Sequence, residues 1–284
     1  MANLFRAFLF KLRHDLTFRI TLIIGGALCL LLTLIYLGID LAMRALSDDP
    51  EAYKFMFCTG QSLFISSLSP SQNFGIAIPV NLISFTVLEF NHGTIRNKII
   101  AGNSKAKIYI SLFLSGLVFT FALIILYSTL SLALGSIIGG FDINGFTLSG
   151  TCNPEFFVRL IVLSILAYIL ITSMTIFFAT LFRSIGPCIP VVIILIMGGA
   201  LLGSIFGIVD MFDDPEEMEA LRNIAAFLRV VNPFHSLTAY GSSLGVGELT
   251  IKDEAFIAEI VNNVIYSTIF FVGGLLIFKK RDVK

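Results

Sequence analysis

Long apolar runs separated by short polar stretches set the organisation of this chain. Six runs stand out, at about residues 20–37, 73–88, 108–138, 157–182, 185–209 and 255–278. A helix needs roughly 20 predominantly apolar residues to cross the hydrocarbon of a bilayer, and most of these runs are near or above that length. The second run contains Pro79 and Asn81, which predicts a kink. Ahead of the first run, Leu4, Phe5, Phe8 and Leu12 recur at helical spacing, with Arg6, Lys11, Arg13 and Arg19 between and beyond them. Such a segment reads either as an amphipathic helix lying in the membrane interface or as the basic flank of the first span. The first run exceeds the apolar region of a signal peptide and no small-x-small cleavage site follows it, so it reads as an uncleaved span. Residues 38–60 are polar and acidic and read as a loop; residues 61–72 are mixed and suit packing at the membrane surface.

Composition sharpens this picture. The chain has 284 residues, 56% of them hydrophobic and only 13% charged, whereas a soluble domain carries about 25% charged residues. The reading is an all-α integral membrane protein with one transmembrane domain over residues 1–284. Charge then orients it. With both termini inside, the inner segments hold 13 Lys and Arg against 6 outside, and 3 acids against 16. Basic residues accumulate on the cytoplasmic side of membrane proteins. The expectation is therefore six membrane-spanning helices with cytoplasmic N- and C-termini.

Catalytic and ligand-binding patterns are scarce. No GxxxxGK[ST] phosphate loop occurs, and Gly102-Asn103-Ser104-Lys105 lacks the first glycine at the right distance. His14, His92 and His235 are scattered without an HExxH, so no metal site is expected. Glu216, Glu217 and Arg222 approach the EExxxR pattern of glutamate-type intramembrane proteases, with one residue too many and in an acidic loop. They read instead as a solvated helix start at Asp214-Pro215. The middles of the spans are nearly free of charge, which disfavours an ion-coupled carrier. Cys58 and Cys152 fall in segments placed outside, and the sequence leaves a disulfide between them open. Gly199, Gly203 and Gly207 recur every four residues, as do Gly135 and Gly139. Small residues at this spacing let helices approach closely, either between two copies or within one chain.

The most informative stretch is Glu89–Ile110, EFNHGTIRNKIIAGNSKAKIYI. It carries Arg96, Lys98, Lys105 and Lys107, with Gly93 and Gly102 as turn residues and Glu89 closing the preceding run. Thr94 suits a helix N-cap, and Glu89 suits an acceptor for backbone donors near Gly93. The sequence Glu-Phe-x-x-Gly-Thr-Ile-Arg-Asn-Lys, followed by Ala-Gly-x-Ser-Lys and Ile-Tyr-x-Ser, resembles the segment after the second span in type-2 ATP-binding-cassette transporter permeases. It is similar to bacterial members that export peptides, drugs or bacteriocins, which implies a multi-pass protein of a bacterial plasma membrane. The resemblance implies a permease subunit paired with a second copy or a related permease chain. It implies a coupling helix at about 92–102 that docks on a separate ABC ATPase, with Glu89, Gly93, Thr94, Ile95, Arg96, Lys98 and Gly102 as the coupling residues. It also implies short re-entrant helices within 215–243. ATP would be bound by the partner, so no cofactor, no catalytic residue and no nucleic acid is expected on this chain. Membrane lipids are the other expected partner, and Gly199, Gly203 and Gly207 the expected packing residues. The rival readings are a non-transporting immunity or sensor protein and, less favoured by the uncharged spans, a secondary carrier.

Overall fold

The structure is a computed structural model and describes residues 2–47, 55–70, 77–141, 146–147, 150–151, 154–209 and 253–281. The described chain is helical: α1 (Ala2–His14), α2 (Leu16–Leu46), α3 (Gly60–Leu68), α4 (Ala77–Asn91), α5 (Thr94–Ile100), α6 (Lys105–Gly139), α7 (Pro154–Phe182), α8 (Ile185–Val209) and α9 (Asp253–Lys280). A two-residue antiparallel pair, β1 (Phe146–Thr147) with β2 (Gly150–Thr151), lies between α6 and α7. The acidic segment 210–252, the implied re-entrant region and Cys152 lie outside the described residues.

Among the described residues four helices, α2, α6, α7 and the Phe256–Lys280 part of α9, are long and apolar enough to cross a membrane. Two shorter apolar stretches, Ala77–Asn91 and Ile185–Gly199, accompany them. Helices α6 and α7 form the centre. Of the apolar window, 67% is buried in α7 but only 11% in α9. The core is built from Leu112, Phe119 and Leu123 of α6, Leu163, Leu170, Ile171 and Met174 of α7, and Ile78, Leu82 and Ile83 of α4. Many hydroxyls on the buried faces are satisfied locally or across helices, whereas those of Thr86, Tyr109, Ser111 and Tyr168 find no partner among the described residues. Thr172 Oγ1 donates to Tyr168 O and sits 3.0 Å from Thr120 Oγ1, while Thr21 Oγ1 donates to Asn81 Oδ1 at 2.8 Å. In an apolar medium an unmade polar contact is costly, so these pairs fix how α2 meets α4 and how α6 meets α7.

Several expected boundaries shift. Helix α2, over the first apolar run, continues to Leu46 rather than ending near 37, because neither Gly38 nor the polar residues beyond it break the ladder. Asp40 is thereby a helical residue, fully buried, and its carboxylate accepts from the backbone N–H groups of Met56, Phe57 and Cys58 at 2.7–3.2 Å. The segment expected at the membrane surface, α3, is instead packed into the fold against α6. Glycines of α6 make room for it: a Cβ on Gly135 would stand 2.7 Å from Thr59 O, and one on Gly139 2.5 Å from Cys58 O. That pair of small residues is thus spent on packing within the chain. Cys58 carries a free, buried thiol. Pro79 lies within α4, and the residues before Ala77 are outside the described residues.

Helix ends converge at one end of the bundle. Lys105, at the start of α6, donates to the carbonyls of Lys279 and Arg281 at 3.1 and 2.8 Å. Arg281 donates to Leu181 O at the end of α7. Arg183 lies 5.1 Å over the ring of Phe90 at the end of α4, and Phe90 packs edge-on against Phe278. The turn joining α7 to α8 places Arg183 at φ 52, its N–H bonded to Ala179 O at 3.0 Å. This basic end is where α1, α5 and the N-terminus of α2 also sit, and it organises the site described next.

Candidate functional site

Helix α5 is only seven residues long, too short to hold itself in water. Its ends are fixed by backbone geometry. Gly93 caps its start in the left-handed region, φ 66, a conformation that costs a residue with a Cβ roughly 1–2 kcal/mol. At its end Gly102, φ 83, donates to Ile99 O at 2.9 Å and Asn103 donates to Lys98 O at 3.2 Å. These two bonds are the 5→2 and 6→1 pair of a Schellman stop. Ser104 then caps α6 by accepting from Lys107 N at 3.4 Å. The two glycines that punctuate the sequence therefore delimit a rigid helical tip.

Glu89 anchors that tip. Its side chain is fully buried at the last turn of α4. Oε1 takes Lys11 Nζ from α1 at 2.5 Å, and Oε2 takes Lys98 Nζ at 2.7 Å and Thr94 Oγ1 at 2.6 Å from α5. Thr94 Oγ1 also lies 2.8 Å from Glu89 O. One carboxylate thus joins three helices. Lys98 stands 3.4 Å over the ring of Phe8, and Phe8 packs edge-on against Phe85, so the cation is held by a ring as well as by the acid. Burial alone would push the Glu89 carboxyl up, but the bonds from Lys11, Lys98 and Thr94 outweigh it and hold the group below its ordinary range. Burial pushes Lys98 below the ordinary lysine value against the pull of Glu89.

The seven residues expected to couple divide into two sets. Glu89, Thr94, Ile95 and Lys98 point into the molecule: Ile95 is fully buried and Lys98 is spent on Glu89. Arg96 faces outward, beside exposed His92, Asn97 and Ile100, the last 74% exposed. Gly93 and Gly102 shape the turns. Thr94 is the first helical residue rather than the cap, and Glu89 binds side chains rather than backbone donors near Gly93. Sequence reasoning missed Lys11 and Phe8, which lie some eighty residues upstream; their only signal was the amphipathic spacing of α1. It also missed Ile100, an apolar residue exposed on a basic surface. Gly199, Gly203 and Gly207 lie on α8, and what surrounds Gly203 and Gly207 is outside the described residues. Among the described residues no cluster of three or more His, Cys, Asp or Glu is placed to hold a metal ion.

The fold and this end of it define a class: a helical protein with membrane-crossing helices and a short, braced, basic tip at one end. Residues 30–284 match the model of a family described as a protein of unknown function, DUF2705, and the chain belongs to that family. The match begins within α2, so α1 and Lys11 precede it. No curated protein and no solved structure matches the chain.

Proposed function

We propose that this chain is the membrane-spanning permease subunit of an ATP-driven exporter. In this reading all six apolar segments cross the plasma membrane, both termini are cytoplasmic, and the basic end faces the cytoplasm. The subunit works as a pair, with itself or a related chain, and a separate ABC ATPase supplies the energy. The observation that carries the reading is the division of α5 into an inward and an outward set. Arg96, Asn97 and Ile100 face solvent at the basic end, while Glu89 ties the same helix to α1 and α4. A force applied to the outward set reaches the end of α4 through a buried ion pair rather than a flexible loop. Binding and release of ATP on a partner would push and free this tip, and packed helices respond to such inputs by switching between discrete arrangements.

The charge pattern supports the orientation. Basic residues crowd the α5 end, and Arg159 at the other end is balanced by Glu155 and Asp253. The sequence supplies no phosphate-cradling loop, so active transport through this chain needs a motor from outside. Arg96→Glu tests the reading. It reverses one exposed charge without touching the Glu89 cluster, so membrane insertion and thermal stability should stay unchanged while ATPase co-purification falls. Retention of an associated ATPase by this variant at wild-type yield contradicts the docking role.

A further inference from the structure

Where α7 and α9 end and α6 and α8 begin, cations gather that the coupling reading does not use. Lys105 and Arg281 are joined through the Arg281 carbonyl, and Arg281 reaches Leu181 O two residues before Arg183. Lys279 and Lys280 are exposed beside them. Capping explains part of this, since Lys105 closes the end of α9 and Arg281 the end of α7. It does not explain the sum. Two helix C-termini contribute about −0.5 charge each, and the N-termini of α6 and α8 at the same place contribute about +0.5 each. The dipoles cancel, leaving the charges of Lys105, Arg183, Lys279, Lys280 and Arg281. Asp282, outside the described residues, offsets at most one of them. Burial, and next the charge of Arg281, hold Arg183 below the ordinary arginine value, as expected for a cation in a field of its own sign.

An apolar track leads into this cluster. On α9, Ile265, Ile269, Val272, Leu276 and Lys280 follow at intervals of four, three, four and four, and the four apolar members are 43–56% exposed. The track is about 22 Å long, longer than the roughly 15 Å of hydrocarbon in one leaflet. Phe182, 38% exposed, ends α7 next to Leu181, whose carbonyl accepts from Arg281. We infer that the junction of α6, α7, α8 and α9 is a binding site for an anionic phospholipid. Its phosphate is held by Lys279 and Lys280, which are exposed on either side of Leu276 with Arg281 beside them, and its acyl chain lies along the Leu276–Ile265 face. The inference rests on the membrane character of the chain and not on the exporter reading.

The test is titration of the purified full-length chain in detergent with phosphatidylglycerol, phosphatidylcholine or inorganic phosphate, read by native mass spectrometry. The expected result is saturable phosphatidylglycerol binding that phosphatidylcholine does not compete away. A cation near the headgroup is worth about 1 kcal/mol, so Lys280→Gln should weaken binding about fivefold and Lys279→Gln with Lys280→Gln about 30-fold. Lys280 is exposed, so the single variant keeps the fold and the measurement stands if the double variant does not fold. The pair Arg6→Gln and Arg13→Gln removes two exposed charges from α1 at the same end and should leave binding unchanged. Equal binding of the two lipids, or equal weakening by the α1 pair, overturns the site. Competition by inorganic phosphate at matched concentration overturns its assignment to a lipid.

Discussion

Two fully buried carboxylates, Glu89 and Asp40, sit towards opposite ends of the bundle, and different chemistry holds each. Asp40 clasps a segment close in sequence: three consecutive backbone N–H groups, at 56–58, converge on it. Such a nest depends on backbone shape and hardly on residue identity. Glu89 gathers side chains from 78 residues upstream and nine residues downstream, and two of its three partners are cations. The Asp40 arrangement fixes a loop against a helix. The Glu89 arrangement links elements that are otherwise separate, and its strength depends on charge. One is a backbone clasp; the other is a charged joint that, in the proposed exporter, would transmit force.

Removing each acid separates the two most sharply. Glu89→Ala strands Lys98 in a mostly buried site, and breaking a buried pair in this way costs about 3 kcal/mol or more. Thermal unfolding of the detergent-solubilised chain should show this as the largest loss of the set. Glu89→Ala together with Lys98→Met should recover part of that loss, because the stranded charge is gone; no recovery means the joint is not an ion pair. Asp40→Ala orphans three donors and costs about 2 kcal/mol by the same assay. Asp40→Asn keeps an acceptor and should cost less than Asp40→Ala.

Gly135→Val tests the packing beside the Asp40 clasp. Its side chain would drive into Thr59 O and the Gly60 backbone, at 2.7 and 2.9 Å from the new Cβ. Overpacking against backbone costs about 1–3 kcal/mol, and unchanged stability would show that α3 does not sit on α6. Lys11→Met should have the smallest effect, under about 1 kcal/mol, because that side chain is 37% exposed. A larger loss would mean that α1, and not α5, is the main partner of Glu89.

Acid sharpens the comparison further. The folded-state pKa of Glu89 lies below its ordinary value of 4.5. Its contribution to stability is therefore fully present above that value and is lost as pH falls through the folded pKa. Stability should be insensitive to this group from pH 5 to 8 and drop below about pH 4.5, less steeply in Glu89→Gln. A midpoint of loss near neutrality in the wild type but not in that variant would contradict the assignment.

The helices were legible in the sequence because apolar runs of this length have few other uses. Their ends were less so. Asp40 reads as a loop residue from its charge, and the three N–H groups folded back over it help to make its burial tolerable. α3 reads as a surface segment because its neighbours on α6 are glycines, which carry no apolar signal of their own. At the candidate site the glycines and Thr94 could be read, since turn chemistry is local. Lys98 and Arg96 could not be told apart: both are basic residues on one short helix. What separates them is Phe8 and Glu89 beneath Lys98, a contact made through the tertiary fold.

The central claim is that the outward face of α5 docks a separate ATPase while its inward face is reserved for Glu89. Photo-crosslinking from single positions of the full-length chain, in the membranes of the cell that makes it, addresses this most directly. A crosslinking residue at Arg96 or at Ile100 should yield an adduct with a nucleotide-binding ATPase subunit, changing in intensity when ATP is added. The same residue at Ile95 should yield none. An ATPase adduct from Ile95 as strong as from Arg96, or none from either exposed position in the presence of an active exporter, would contradict the account.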